Sequence, residues 1–311
     1  IRIISFYEFL IQKFGISAFV MPTADTLFTL TGYKVASHFD IPIISESPAW
    51  IIPDEMSGAG FFCSDEFMHS PRMEMKYAEL KERSLTDLEV ESATSIKNSI
   101  LHFGGHTKFS KSTKGADAGR RSISPNWKGF LKYISQNFCY DKEIFYMKFE
   151  VREKVRANLL RFFRKILNKR NLNTIALRDI DEKSVFFALQ FQPEQSTLTQ
   201  ANWFANQIYV IECIARSLPL GYRLIVKEHP WGRGNRPTWQ YKHISRFYNV
   251  ELCDSPAREI IKKVAAVIAL PGTVALESIV IGRPTILFGG AFYDFSTLLH
   301  KVTDVSQMPH L

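Results

Sequence analysis

Residues 265–288 read AAVIALPGTVALESIVIGRPTILF, and this stretch decides the fold class. Its first six residues are apolar and stop at Pro-Gly, which is typical of a buried strand that ends in a turn. Thr273 then opens a segment that predicts a helix over 273–281, ended by Gly282. A second apolar run follows at 285–288. Strand, helix and strand at this spacing predict a βαβ unit of a parallel sheet.

The same alternation precedes this unit. Further strands are predicted over 184–190, 222–227 and 250–253, with helices over 199–217, 239–247 and 256–263. Five strands interleaved with helices predict a doubly wound, Rossmann-like domain.

The first half of the chain shows a weaker form of this rhythm. Helices are predicted over 1–14, 24–39 (opened by Thr23), 64–85 and 87–101, and strands over 18–21 and 41–45. Since the chain starts on a helix that feeds a strand, and its first residue is Ile, we expect the first domain to be truncated.

Length and composition indicate two globular domains. The chain has 311 residues, of which 46% are apolar and 23% charged, and one domain takes roughly 100–200 residues. We therefore expect an α/β protein with a first Rossmann-like domain over 1–171 and a second over 172–311. The four cysteines form no CxxC or CxxH pair, which argues against a structural zinc site. No apolar run approaches the roughly 18 residues of a membrane-spanning helix.

The net charge of +8 points to anionic partners. Residues 108–132 are rich in Ser, Gly, Lys and Arg, and predict a mobile basic loop. Residues 148–170 predict a basic amphipathic helix. That helix either packs on its own domain with a solvated charged face or lies against an anionic membrane surface. Nucleic acid is not an expected partner, because no base-reading or stacking motif accompanies the charge.

Ligands of open α/β sheets bind at the carboxyl ends of the strands, so the polar residues there are candidates. Gln192 and Glu194 follow the strand at 184–190. They either contact a sugar or nucleotide, or belong to a polar loop that caps the next helix.

The strand at 222–227 ends in Lys227-Glu-His229-Pro. His229 can donate to a phosphate or act as an acid near neutral pH, and Lys227 adds a point charge. Arg233 and Arg236 follow in a Gly-rich loop and could close over a phosphate. A structural histidine is the alternative.

The third loop is the Pro-Gly turn quoted first. Gly272 allows a close approach of the backbone, and the free N–H groups at a helix start attract phosphate. Glu277 lies one helical turn after Thr273, where a carboxylate suits the two hydroxyls of a ribose. An ordinary N-cap and a first-turn acid are the alternative roles.

The sequence lacks the motifs of several common nucleotide-binding, hydrolase and metalloprotease sites. The sequence contains no GxGxxG after the strand at 184–190, and no GxxxxGK[ST], GxSxG or HExxH. We therefore expect neither a metal nor a cofactor.

The string VKEHP, followed by ALPGTVALESIVIGRPTILFG, resembles the carboxyl-terminal half of GT-B glycosyltransferases. It is most similar to bacterial capsule polysaccharide biosynthesis proteins, a group that includes Kdo transferases. LQFQPEQSTL resembles that family's QxE-type motif. The resemblance is strongest over 184–311 and weaker over 1–52. Pro-Gly-Thr stands where relatives often carry Thr-Gly-Thr or Ser-Ser, so one phosphate contact is expected to be lacking.

The resemblance implies a two-domain GT-B architecture with the nucleotide-sugar on the second domain. His229 and Thr273 would contact donor phosphate, Glu277 the ribose, and Gln192 and Glu194 the sugar. Fixed donors at Gly272, Thr273, His229 and Lys227 would stabilise the leaving phosphate without a metal. Asp25, from the first domain, is a candidate base; a first-turn helix acid is its alternative role.

The expected function is transfer of a sugar from a nucleotide-sugar donor, with CMP-Kdo as one candidate, to a capsule polysaccharide or glycolipid acceptor. The expected location is cytoplasmic, with peripheral attachment to the inner face of the membrane. The alternatives are a nucleotide-sugar epimerase and a non-catalytic sugar- or nucleotide-binding module.

Overall fold

The computed structural model describes residues 1–48, 60–102, 151–171, 174–304 and 306–307. The predicted basic loop at 108–132 lies outside these residues, as does the start of the helix predicted at 148–170. The helices are α1 (Arg2–Phe14), α2 (Leu27–His38), α3 (Pro71–Lys81), α4 (Asp87–His102), α5 (Val151–Asn171), α6 (Gln195–Leu198), α7 (Gln207–Ser217), α8 (Thr238–Ile244), α9 (Ala257–Ile261) and α10 (Thr273–Ile281).

The strands form two sheets. Their bounds are β1 (Phe19–Val20), β2 (Ile43–Pro48), β3 (Gly60–Cys63), β4 (Thr174–Ile175), β5 (Ser184–Ala188), β6 (Arg223–Lys227), β7 (Val250–Cys253), β8 (Ala266–Ala269), β9 (Thr285–Phe288) and β10 (Leu299–Val302). The larger sheet has the order β10-β9-β8-β5-β6-β7-β4. All of its pairings are parallel.

Strand β5 lies at the centre of this sheet and is buried along its whole length. Val185 and Phe187 pack with α7 and α8 in one core cluster. Phe186 and Ala188 point the other way, into a cluster with α9 and α10. Successive side chains of a strand face opposite sides, so a continuous apolar run means that both faces are covered. The α/β fold class and the five strands predicted in this half are confirmed.

The first part of the chain forms a smaller sheet in the order β1-β2-β3. β1 pairs with β2 in parallel, as expected, and β3 adds an antiparallel strand that the sequence did not indicate. α1 and α2 cover this sheet around a core that includes Tyr7 and Tyr33, both almost fully buried.

Three predicted helices begin well before those observed, and the helices predicted at 239–247 and 256–263 end earlier, at Ile244 and Ile261. The helix predicted at 24–39 begins at Leu27, because Thr26 rather than Thr23 caps it through a reciprocal bond with Thr29. The helix predicted at 64–85 is only Pro71–Lys81, since the Asp65 carboxylate holds residues 65–69 in a turn. The helix predicted at 199–217 begins at Gln207, where the Asn206 side chain accepts the Tyr209 N–H.

Hydrogen bonds and ring contacts join the first part of the chain to the part that holds the large sheet. The Thr199 hydroxyl donates to the Ala24 carbonyl at 2.9 Å in a buried hydrogen bond. Elsewhere His69 lies between two carboxylates, with Nδ1 2.6 Å from Asp65 and Nε2 2.9 Å from Asp294. Hydrogen bonds to Asp294 and Asp65 raise the pKa of His69 to about 10, so the imidazole is a cation at neutral pH. The predicted domain boundary after residue 171 stays a prediction.

Candidate active site

The three candidate loops all follow the carboxyl ends of parallel strands, so they lie at the same end of the sheet. β5, β6 and β8 run parallel, and β5 lies between the other two. Neighbouring strands are about 4.8 Å apart, so the ends of β6 and β8 are separated by about 10 Å.

His229 follows β6 and is half-buried at this edge. Its ring stacks on Phe191 with the centroids 6.1 Å apart, and Nδ1 accepts the Trp231 N–H at 3.2 Å. Burial, together with the positive charges of Lys227 and Arg236, lowers the pKa of His229 to about 4. His229 is therefore neutral at pH 7, with its proton on Nε2, which favours the expected role of phosphate donor over that of an acid.

Beneath His229 lies a buried ion pair that the sequence did not reveal. Glu228 and Arg236 are 6% and 9% exposed, and the Arg236 Nε contacts Glu228 Oε2. Tyr241 donates to the same oxygen at 2.6 Å, while Glu228 Oε1 accepts the His229 N–H at 2.8 Å. Arg236 therefore holds the loop through its ion pair with Glu228. It does not close over a phosphate, which is what the sequence had led us to expect. An acid and a base eight positions apart gave no sequence signal, because both types are usually exposed.

Gln190, the residue that begins the first loop, joins the other two. Its carbonyl accepts from Arg236 at 3.0 Å, and it exchanges two backbone–amide bonds with Gln207. Its side-chain amide lies beside Gly272, where an added Cβ would come within 3.2 Å of Nε2. Gln190 was not among the residues predicted for the site, although its place at the end of the central strand is a usable signal.

Lys227 and Arg233 meet next to the end of β7. The Lys227 ammonium donates to the Asp254 carbonyl at 3.2 Å, and Arg233 pairs with the Asp254 carboxylate at 2.7 Å. Burial and the nearby Arg233 charge lower the pKa of Lys227. The Arg233 Nε is buried and has no partner among the described residues. The charged Arg233 side chain therefore keeps one N–H donor, on Nε, that no described residue accepts.

Gly272 is the N-cap of α10, and Thr273 is its first residue. The Gly272 N–H already donates to the Tyr293 hydroxyl at 3.2 Å, and that hydroxyl donates to the Gly272 carbonyl at 2.8 Å. The expected phosphate contact from the Gly272 N–H is thus already occupied, and Thr273 is not the N-cap. The Thr273 side chain is exposed, and the first-turn N–H groups after Gly272 have no acceptor within the helix.

Glu277 lies one turn farther along α10 and is largely buried. Its Oε1 accepts from Arg258 on α9 at 3.0 Å, with both side chains less than a fifth exposed. The pairing fixes where the carboxylate lies.

Gln192 and Glu194 lie in the turn after β5. Gln192 donates to the Ala205 carbonyl at 2.7 Å, so its amide N–H is engaged with the protein. Glu194 is the N-cap of α6, and its residue is exposed overall. The surrounding turn still desolvates the carboxyl group enough to raise the pKa of Glu194. A carboxyl with a raised pKa suits proton transfer.

Asp25 is exposed and lies just before the cap of α2. The hydrogen bond between Ala24 and Thr199 ties its segment to the turn that begins at Glu194. This bond joins the segments that carry the two candidate carboxylates. The roles of both carboxylates stay predictions.

No group of three or more His, Cys, Asp or Glu placed to hold a metal ion occurs within the ranges that the structure describes. In those same ranges, no helix is both long and apolar enough to cross a lipid bilayer.

A family profile described as "Capsule polysaccharide biosynthesis protein" matches residues 131–304, more than half of the chain. The chain belongs to this family. The match covers all three strand-end loops and confirms the resemblance drawn from the VKEHP and PGTVALES segments. No curated protein sequence matches the chain.

Solved structures show distant similarity to this capsule-family chain. The β-Kdo 2,7 transferase of Thermosulfurimonas dismutans KpsC is 12% identical, with a TM-score of 0.43 over 96% of this chain and 73% of that chain. Its β-Kdo 2,4 transferase is 12% identical, with a TM-score of 0.37 over 94% and 75% of the two chains. UDP-GlcNAc 2-epimerase from Neisseria meningitidis is 11% identical, with a TM-score of 0.31 over 99% and 70%.

Proposed function

We propose that this capsule-family chain is a glycosyltransferase of GT-B architecture. It would move a sugar from a nucleotide-sugar donor, with CMP-Kdo as the candidate, to a capsule polysaccharide or a lipid-linked acceptor. The observation that carries the proposal is the shared edge of β5, β6 and β8. There His229, Gln190 and the start of α10 follow the ends of three neighbouring strands, of which β6 and β8 are about 10 Å, or two strand spacings, apart.

The donor's phosphate would lie between His229 and the first turn of α10. A neutral imidazole with its proton on Nε2 donates one hydrogen bond. The Thr273 N–H and hydroxyl would donate from the other side, and Arg233 Nε would supply a charged donor.

Transfer breaks the bond between the anomeric carbon and the phosphate oxygen. Negative charge then grows on the leaving phosphate while the sugar gains oxocarbenium character. Donors held in place before the reaction stabilise that charge most effectively, because they need no reorganisation. The buried pair of Glu228 and Arg236 fixes the backbone of His229 and so provides this rigidity.

The acceptor hydroxyl must lose a proton when it attacks. Glu194, with its raised pKa, and Asp25, on the opposite part of the chain, are the candidate bases. We propose that the reaction uses no metal and no cofactor. Glu277, positioned by Arg258, would accept from the ribose hydroxyls of the nucleotide.

A cytoplasmic location with peripheral attachment to the inner face of the membrane is part of the proposal. Cys63, Cys213 and Cys253 are free thiols, as is typical of proteins in a reducing compartment.

Two measurements test the function. The first is a thermal-shift panel of CMP-, UDP-, GDP- and TDP-nucleotides, since a ligand at 100 times its Kd stabilises the folded state by about 2.7 kcal/mol. The second compares His229→Ala with His300→Ala, an exposed control. Loss of a donor to the leaving group should lower nucleotide-sugar turnover about 100-fold or more, while the control stays unchanged.

Other outcomes would redirect the assignment. Equal turnover by His229→Ala and the wild type would remove His229 from the site. A change of the sugar without any acceptor would favour an epimerase. Nucleotide binding that never leads to turnover would favour a binding module.

A further inference from the structure

The basic helix α5 carries an apolar stripe that is exposed in the part of the chain that the structure describes. Each residue turns a helix by about 100°, so positions 159, 160, 163 and 167 fall within about 100° of its circumference. Leu159, Leu160, Phe163 and Leu167 lie there and are 43% to 56% exposed. We call these four residues the α5 stripe.

The opposite side of α5 is held against the second domain. Arg161 Nε donates to the Asn235 side-chain oxygen at 2.7 Å, and Arg164 donates to the Asn235 carbonyl at 3.0 Å. Arg161 lies roughly opposite the middle of the stripe, and α5 packs beside α8. These contacts orient the helix so that its apolar stripe faces outward.

The charge of α5 selects the surface that the stripe fits. Its sequence carries eight Lys and Arg residues against one Glu. Arg156, which falls within the same arc of the helix as the stripe, is exposed. An apolar stripe on a strongly basic helix matches the boundary between headgroups and acyl chains in an anionic bilayer, and a neutral protein surface would leave these charges unmatched.

We propose that α5 docks the protein on anionic lipid, with the α5 stripe inserted among the headgroups. This inference rests on the proposed transfer to a lipid-linked acceptor, for which it supplies the location. Asn235 belongs to the same loop as Arg233, so a helix lying on the bilayer would hold the donor side of the candidate site close to the membrane surface.

The test is co-sedimentation of the full chain with vesicles of phosphatidylcholine, alone or mixed equally with phosphatidylglycerol. The stripe variant Leu159→Asn/Phe163→Asn is compared with Leu220→Asn/Tyr248→Asn, which changes two apolar side chains that are over 90% exposed elsewhere. The wild type and the control should bind the anionic vesicles, and much less so at 1 M salt, where the Debye length falls to about 3 Å. The stripe variant should bind at least about tenfold more weakly, since it loses the burial of two apolar side chains.

Equal binding by the stripe and control variants would overturn the proposal, as would equal binding of the wild type to neutral vesicles. A dimer in solution that only the stripe variant disrupts would assign the stripe to a second copy and also overturn it. Nucleotide thermal shifts measured without vesicles should be the same for all three proteins. If the wild type showed no thermal shift with any nucleotide, this result would count against the proposed function, independently of lipid binding.

Discussion

Replacing Arg236 by methionine would leave the Glu228 carboxylate buried without its cationic partner. Both side chains are less than a tenth exposed, and Arg236 also donates to the Gln190 carbonyl. Removing one member of a buried ion pair costs about 3–5 kcal/mol, because the remaining charge is left uncompensated. With a urea m-value of about 1–3 kcal/mol/M, the unfolding midpoint should fall by about 1–5 M.

The assay is equilibrium urea unfolding of the wild type, Arg236→Met and the control Arg246→Met. Arg246 is exposed, so its replacement should change the free energy of unfolding by less than about 0.5 kcal/mol. Adding Glu228→Gln to Arg236→Met removes the unpaired charge, so the double variant should be more stable than Arg236→Met alone.

Two results would refute this reasoning. One is a loss below about 1 kcal/mol for Arg236→Met, within the range expected of an exposed pair. The other is a double variant no more stable than the single one. If Arg236→Met does not fold, Tyr241→Phe offers a milder test, since it removes one hydrogen bond to the carboxylate and should cost about 1.5–3 kcal/mol.

Two further predictions concern the contact between the first part of the chain and the large sheet. The pKa of His69 is raised from 6.5 to about 10 in the folded protein, so its stabilisation is complete below pH 6.5 and is lost as the pH rises towards 10. Thermal unfolding should show that the wild type loses more stability than His69→Gln between pH 7 and 10; parallel curves would contradict the assignment. Gly290→Ala would bring a Cβ within 2.4 Å of the Phe67 ring, so it should lower the free energy of unfolding by about 1–3 kcal/mol and increase proteolysis around residue 67. Gly221→Asn is the control and should lower it less, because an added Cβ has open space there and Asn tolerates the positive φ.

In the second half of the chain, the boundaries of helices and strands were predicted best where Gly and Pro mark them. Helix 273–281 and strands 250–253 and 285–288 agree with the structure to the residue. Gly282 and Pro284 interrupt the backbone pattern there, so the boundaries are local and need no tertiary information.

The missed elements depend on distant partners. β10 reads Leu-His-Lys-Val, and its polar centre gave no strand pattern, although it pairs with β9 along its whole length. The start of α2 depended on whether Thr23 or Thr26 caps it, a choice that the helix pattern alone left open. Gln200 and Thr199 were expected inside a helix, but Thr199 is instead turned towards the Ala24 carbonyl.

Lys227, His229 and Gly272 were proposed for the site because ligands of open sheets bind at the strand ends, and their roles stay predictions. The contacts inside this region were missed. Pairing of Lys227 with Asp254, and of Glu277 with Arg258, joins residues from separate loops and helices. Such contacts follow from the folded sheet order, which one sequence does not contain.

The two outer strands of the large sheet differ in how they avoid joining another molecule. β4 has only two residues, too few to template a long intermolecular ladder. β10 is longer, but it places the exposed residues His300 and Lys301 at the rim. Lys301 pairs with Asp294 at 2.6 Å and keeps a charged side chain on this outer strand. Charged side chains on an outer strand disfavour the addition of a further strand, so substitution of Lys301 by a β-branched apolar residue should make the protein prone to aggregation.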